Sequence, residues 1–136
     1  MAMDDFSLMM SEQECEDLRQ LLEKQEQTPI EVHRGIRELW FHNDDWSSEL
    51  RLLFLGKVHV LVSRAAFINR RQGTMTKVLG FLEEFCKEHG VSRIVIQSVE
   101  TPEMAAFCEK NHFTPSPTAS MLFDGVILGD YIKEIL

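Results

Sequence analysis

A glycine set in a basic loop, between an extended apolar run and an amphipathic helix, constrains this chain more than any other stretch. The run Val58 to Ile68 reads as a strand and leads directly into Arg70-Arg71-Gln72-Gly73-Thr74-Met75. Beyond the loop, apolar side chains fall at Met75, Val78, Leu79, Leu82, Phe85, Cys86 and, counting the amphipathic imidazole, His89. That i, i+3, i+4, i+7 spacing predicts a helix with one buried stripe. Gly90 ends it where a left-handed residue is favoured. A helix entered from such a loop leaves backbone N–H groups unpaired at its positive end. The junction suits a phosphate.

The 136 residues are enough for one sizeable core and read as a single domain, 1–136. A net charge of -8, from 14 basic and 22 acidic residues, argues against nucleic acid or an anionic membrane as partner. Both would need a concentrated positive surface. Arg64, Arg70 and Arg71 nevertheless fall within eight residues of one another, which suits one small anionic ligand. The plainer alternative is a set of solvated arginines. Cys15, Cys86 and Cys108 show neither a CxxC pair nor zinc-ligand spacing, so no metal site is expected from them. Packed thiols without a disulfide framework fit a reducing compartment. The first ten residues lack the basic and apolar regions of a signal peptide, and no apolar run reaches membrane-spanning length. The expectation is a cytoplasmic protein.

In chain order, Ser11 and Glu14 have the spacing of a capping box that opens a helix ending near Gln27, ahead of Pro29. Cys15, Leu18, Leu21 and Leu22 would face inward, and Glu12, Glu16, Glu23 and Glu26 form an acidic face read as solvated. Glu31 to Phe41 reads as one strand, with Ile36 among its apolar residues, and Asn43 to Ser48 as a turn. Leu50 to Leu55 and Val58 to Ile68 flank a Gly56-Lys57 hairpin turn, with Ala65-Ala66 marking a bend. Arg93 to Val99 is a buried strand. Thr101-Pro102 starts a short helix running to about Asn111. Thr114 to Thr118 reads as an extended loop, and Asp124-Gly125 as the turn of a closing hairpin.

Two blocks of residues carry a family resemblance. Arg70-Arg71-Gln72-Gly73-Thr74-Met75 resembles the R/Q-x-x-G-x-G/A loop of the GNAT superfamily of N-acyltransferases. Phe107-Cys108-Glu109-Lys110-Asn111-His112-Phe113 resembles the family's later F-Y-E-K-x-G-F phrase, with one strand between the blocks as in the family. The resemblance implies an α/β (α+β) domain whose mixed, mostly antiparallel sheet is flanked by helices. It also implies acetyl-CoA as acyl donor and an unidentified amine as acceptor, joined by direct attack on the thioester. Arg70, Arg71, Gln72, Gly73, Thr74 and Met75 would hold the pyrophosphate. The backbone at Ala65, Phe67 and Ile68 would pair with the pantetheine arm.

Cys108 stands where many members have the tyrosine that protonates the departing thiolate, and His59 has the most suitable ordinary pKa for a general base. Glu49 and Glu38 are the other candidates for that base; the plainer explanation of His59 is an edge-facing histidine on a hairpin, and that of Cys108 a buried small thiol. Met75 replaces the family's small residue and His112 its glycine, and the amino-terminal half is short for the family. These departures support a second reading, an inactive relative that binds acyl-CoA or a protein partner in a regulatory role. An exposed Trp46 or a paired C-terminal strand would serve a homodimer, although nothing in the sequence requires one.

Overall fold

The computed structural model describes residues 8–68 and 73–136. Helix α1 (Glu12–Glu26) begins as its spacing predicts. The Ser11 hydroxyl accepts the Glu14 N–H at 3.1 Å, and the Glu14 carboxylate accepts the Ser11 N–H at 2.8 Å. Two donors that a helix start leaves orphaned are thereby satisfied. Four strands follow: β1 (Glu31–Gly35), β2 (Glu38–His42), β3 (Glu49–Leu55) and β4 (His59–Ala66). Next come α2 (Thr74–His89), β5 (Arg93–Val99), α3 (Pro102–Lys110), β6 (Thr114–Phe123) and β7 (Val126–Glu134). Gly90 at φ 73 closes α2, and the Thr101 hydroxyl caps α3 by accepting the Met104 N–H at 3.1 Å. None of the described helices is long and apolar enough to cross a membrane.

The seven strands form one sheet in the order β1-β2-β3-β4-β5-β7-β6. Only β4 and β5 run parallel, because α2 carries the chain across between them. The sheet is otherwise antiparallel, as expected. Leu39, Phe41, Leu50, Leu52, Phe54, Val60 and Val62 are buried in one core with Leu18, Leu22, Val78, Leu82 and Phe85. Phe54 meets Phe85 of α2 edge-on, with ring centroids 5.8 Å apart, so this sheet face is the one the helix covers. Helices α1 and α2 lie antiparallel. His89 at the end of α2 is 2.7 Å from Glu14 near the start of α1, and Thr74 at the start of α2 bonds Glu26 at the end of α1.

Two expectations for the strands need correction. The single strand expected from Glu31 to Phe41 is a hairpin, and Ile36, expected within the strand, is 93% exposed in its turn. Arg37 takes the left-handed φ of 59 that closes this turn. The loop expected over Thr114 to Thr118 belongs to β6, whose pairing with β7 shifts register between Pro115 and Ser120. As the outermost strand of the sheet, β6 can hold Pro115 and Pro117 without breaking a ladder on both sides. Gly129 lies opposite this irregularity at φ 119, where an added Cβ would come within 2.3 Å of the Ala119 carbonyl oxygen. Only glycine fits there.

The Asp124-Gly125 hairpin forms as expected, with φ of 52 and 81. His112, standing in for the family's glycine, adopts φ 69, the conformation a glycine would take freely.

Candidate functional site

The site is made where β4 and β5 part. They pair from His59 with Arg93 up to Val62 with Ile96, and no further. Just beyond that point each strand carries an irregularity on its outer side. On β3, Leu52 opposes Val62 and Arg51 opposes Arg64, which leaves Ser63 as an extra residue in β4. On β7, Tyr131 opposes Ile96 and Gly129 opposes Val99. Ser98 there takes φ 55 and donates its N–H to the Asp130 carboxylate at 2.9 Å. A bulge bends its strand and increases its twist. Two bulges at one level turn the paired sheet into a fork.

The fork opens a cleft of about 780 Å³, walled by β4 from Val62 to Ala66 and Phe67 beyond it, β5 from Ile96 to Val99, the first turn of α2 and the face of α3 bearing Glu103 and Phe107. This lies within the range of small-molecule and cofactor sites. At its upper end, Gly73 is the N-cap of α2 at φ 75 and provides no side-chain acceptor, and the first turn of α2 contains no acidic residue. The amides of that turn have no partner within the helix. A cradle of N–H groups thus lies at the positive end of a 16-residue helix, open to the cleft. A Cβ built on Gly73 would meet nothing within 4 Å, so the glycine is there for its backbone angle.

Of the residues expected to bind cofactor, Ala65, Phe67, Gly73, Thr74 and Met75 come together on this cleft. Arg70, Arg71 and Gln72 lie outside the described residues. Ile68 departs from expectation. Its N–H donates to Glu26 Oε1 at 2.6 Å and is not presented to a ligand. The Thr74 hydroxyl donates to Glu26 Oε2 at 3.0 Å and the Ser48 hydroxyl to Oε1 at 2.5 Å. Glu26, read from sequence as part of a solvated face, is buried and joins both feet of the loop to α1. A signal was available: Glu26 continues the stripe Cys15, Leu18, Leu22 at the next four-residue step.

Neither expected catalytic residue reaches the cleft. Cys108 is fully buried between α3 and the core, and Met104 and Phe107 of the same helix line the cleft instead. Burial, reinforced by the Glu109 carboxylate, pushes its thiol up to about 12. His59 begins β4, across from Arg93, about 10 Å along the strand from the lowest cleft residue, Val62. Burial and the Arg93 guanidinium hold its pKa below the ordinary 6.5. Glu100 and Glu103 do line the cleft. Glu103 and Phe107, four apart on α3, share one face by helical spacing, a clue the sequence reading passed over. Arg64 also lines the cleft and donates to Glu49 at 2.5 Å, while the Trp40 indole donates to the same carboxylate at 2.6 Å.

No family model matches the chain, and no curated protein matches it. Solved structures do. Nourseothricin acetyltransferase superposes with a TM-score of 0.53 at 14% identity, over 73% of this chain and 65% of that one. This chain therefore spans just under two thirds of that enzyme's length. Ard1 from Thermoplasma volcanium gives 0.53 at 12% identity, over 93% and 95%. The IAA acetyltransferase from Bacillus cereus gives 0.51 at 15% identity, over 72% and 78%. The chain has the fold of the GNAT acetyltransferases, carried by a divergent sequence.

Proposed function

We propose that this protein is an N-acetyltransferase that takes the acetyl group of acetyl-CoA and passes it directly to an amine. The observation that carries the reading is the fork: β4–β5 pairing stops at Val62 and Ile96 and opens onto the uncapped start of α2. An extended acyl-thioester arm would lie between the parted strands and pair with the backbone of Ala65 and Phe67. Its pyrophosphate would rest on the amides of Gly73, Thr74 and Met75, with Arg70, Arg71 and Gln72 adding charge-assisted bonds. The amine nitrogen would attack the thioester carbonyl, the C–S bond would break, and the thiolate would leave and be protonated. Backbone N–H groups of the fork would stabilise the oxyanion in between. Glu100 and Glu103, at the cleft wall, would draw in a cationic acceptor and take up its proton.

A second reading, a binder of acyl-CoA without turnover, is favoured by one observation. The residue standing in for the family's proton donor, Cys108, is sealed from the cleft.

Calorimetric titration with acetyl-CoA, CoA and 3′,5′-ADP tests the shared basis of both. Saturable binding is expected for all three. Thr76→Glu should weaken it at least about tenfold, because it places a negative charge on an exposed cleft residue of the first turn. Glutamate is favoured at that helix position, so the variant should fold normally. No heat and no thermal shift at millimolar ligand would overturn the reading. Binding without transfer to any amine in an acceptor screen would select the second.

A further inference from the structure

A second group of ligating side chains lies outside the cleft, at the far edge of the sheet. We propose that Glu31, His33 and His42 form a binding site for a divalent transition-metal ion of the zinc type. The proposal stands independently of the acyl-transfer reading, since the site lies on β1 and β2 and β3 separates these strands from β4.

Strand register assembles the group. Glu31 lies directly opposite His42 in the β1–β2 hairpin, and His33 follows Glu31 by two residues on the same face. The two Nε2 atoms share a hydrogen bond of 2.9 Å, and Glu31 Oε2 is 3.8 Å from that of His42 and 4.0 Å from that of His33. The carboxylate is too far from either imidazole to accept a hydrogen bond, yet one oxygen faces both. A triangle with sides of 2.9, 3.8 and 4.0 Å has its centre about 2.1 Å from every corner. That is the length of a metal–imidazole or metal–carboxylate bond, about 2.0–2.2 Å. One ion at that point would take the place of the proton shared by the two imidazoles and lie at bonding distance from all three atoms.

The surroundings are those of a ligand set. His42 Nδ1 is 2.8 Å from the Asn43 carbonyl oxygen, which can only accept, so Nδ1 carries a proton and Nε2 is the atom turned toward the gap. The ring is further held by stacking on Trp46, with centroids 3.5 Å apart and planes 7° from parallel. Asn43 is fixed in turn, its side-chain oxygen accepting the Ser48 N–H at 3.0 Å. His42 is the buried anchor, while the Glu31 and His33 side chains are 64% and 63% exposed and give an ion entry from solvent. Two imidazoles and one carboxylate suit zinc and its neighbours, and three protein ligands leave room for water. The bound ion would cross-link edge strand β1 to β2.

Titration of the 136-residue protein with Zn²⁺ near neutral pH tests this. One ion per chain is expected, with the melting temperature raised by about 5 °C at saturation. Co²⁺ should give visible ligand-field bands without the near-ultraviolet band of thiolate coordination. His33→Gln and Glu31→Gln alter exposed side chains, keep the fold, and should each weaken binding at least about tenfold. His89→Gln, which removes the alternative grouping Glu14, Glu88 and His89, should leave it unchanged. Four results would overturn the proposal: no saturable binding at about 100 μM Zn²⁺, affinity untouched in His33→Gln, affinity lost in His89→Gln, or a thiolate band.

Discussion

The two ends of the β4–β5 seam are built from the same pair of strands and do opposite things. At the lower end, His59 to Val62 pair with Arg93 to Ile96, and Val60, Val62, Ile94 and Ile96 disappear into the core. At the upper end, the backbones of Ser63 to Phe67 and Gln97 to Val99 part, and polar and apolar residues together line the gap. Both ends belong to the same two strands, but the buried alternation of β4 stops at Val62. What separates them is one extra residue in each strand, Ser63 against β3 and the Gln97-Ser98 step against β7. A sheet becomes a ligand site here through two local faults in register, with an uncapped helix start placed at the open end.

The contrast can be broken experimentally. The largest effect is expected at the closed end. Ile94→Ala removes a fully buried side chain and should cost about 2–5 kcal/mol in urea denaturation, while acetyl-CoA affinity of the folded protein changes little. Ala66→Trp, at an exposed position of the open end, should do the reverse. It should lower acetyl-CoA affinity at least about tenfold with stability kept within about 0.5 kcal/mol. If it destabilised the fold as Ile94→Ala does, the two ends would not be separable.

The smallest effect is expected of His59→Gln. A histidine whose folded pKa lies below its unfolded value of 6.5 favours the fold while neutral. Its contribution is complete above that pH and is lost as pH falls toward the folded value, because the unfolded chain takes up the proton first. The variant should therefore show a flatter decline of stability from neutral pH into mild acid. Any transferase activity should be unchanged, and a tenfold loss of activity would return His59 to the role of general base.

Much of the fold was legible because its signals are local. The capping box at Ser11, the stripe from Met75 to His89 with Gly90 behind it, the Thr101-Pro102 start and the Asp124-Gly125 turn each depend on neighbours within a few residues. The misreadings depend on partners far along the chain. Ile36 and Arg37 look like strand because no paired turn-forming dipeptide marks the reversal; only pairing with β2 and then β3 shows that the chain doubles back. Pro115 and Pro117 look like loop because a ladder on both sides would forbid them, and only the sheet order shows that β6 has one neighbour.

The candidate site divides along the same line. By itself the sequence determined that a strand would feed a glycine-containing loop and an amphipathic helix, since periodicity and a left-handed glycine act within one turn of chain. Only the tertiary structure decided what surrounds that junction. Strand pairing over long sequence distances withdrew Ile68 toward Glu26, buried Cys108 against the core and left His59 at the closed end of the seam. It also set Glu31 opposite His42, because in a sheet a side chain's neighbours are chosen by register, and register is a property of two strands together.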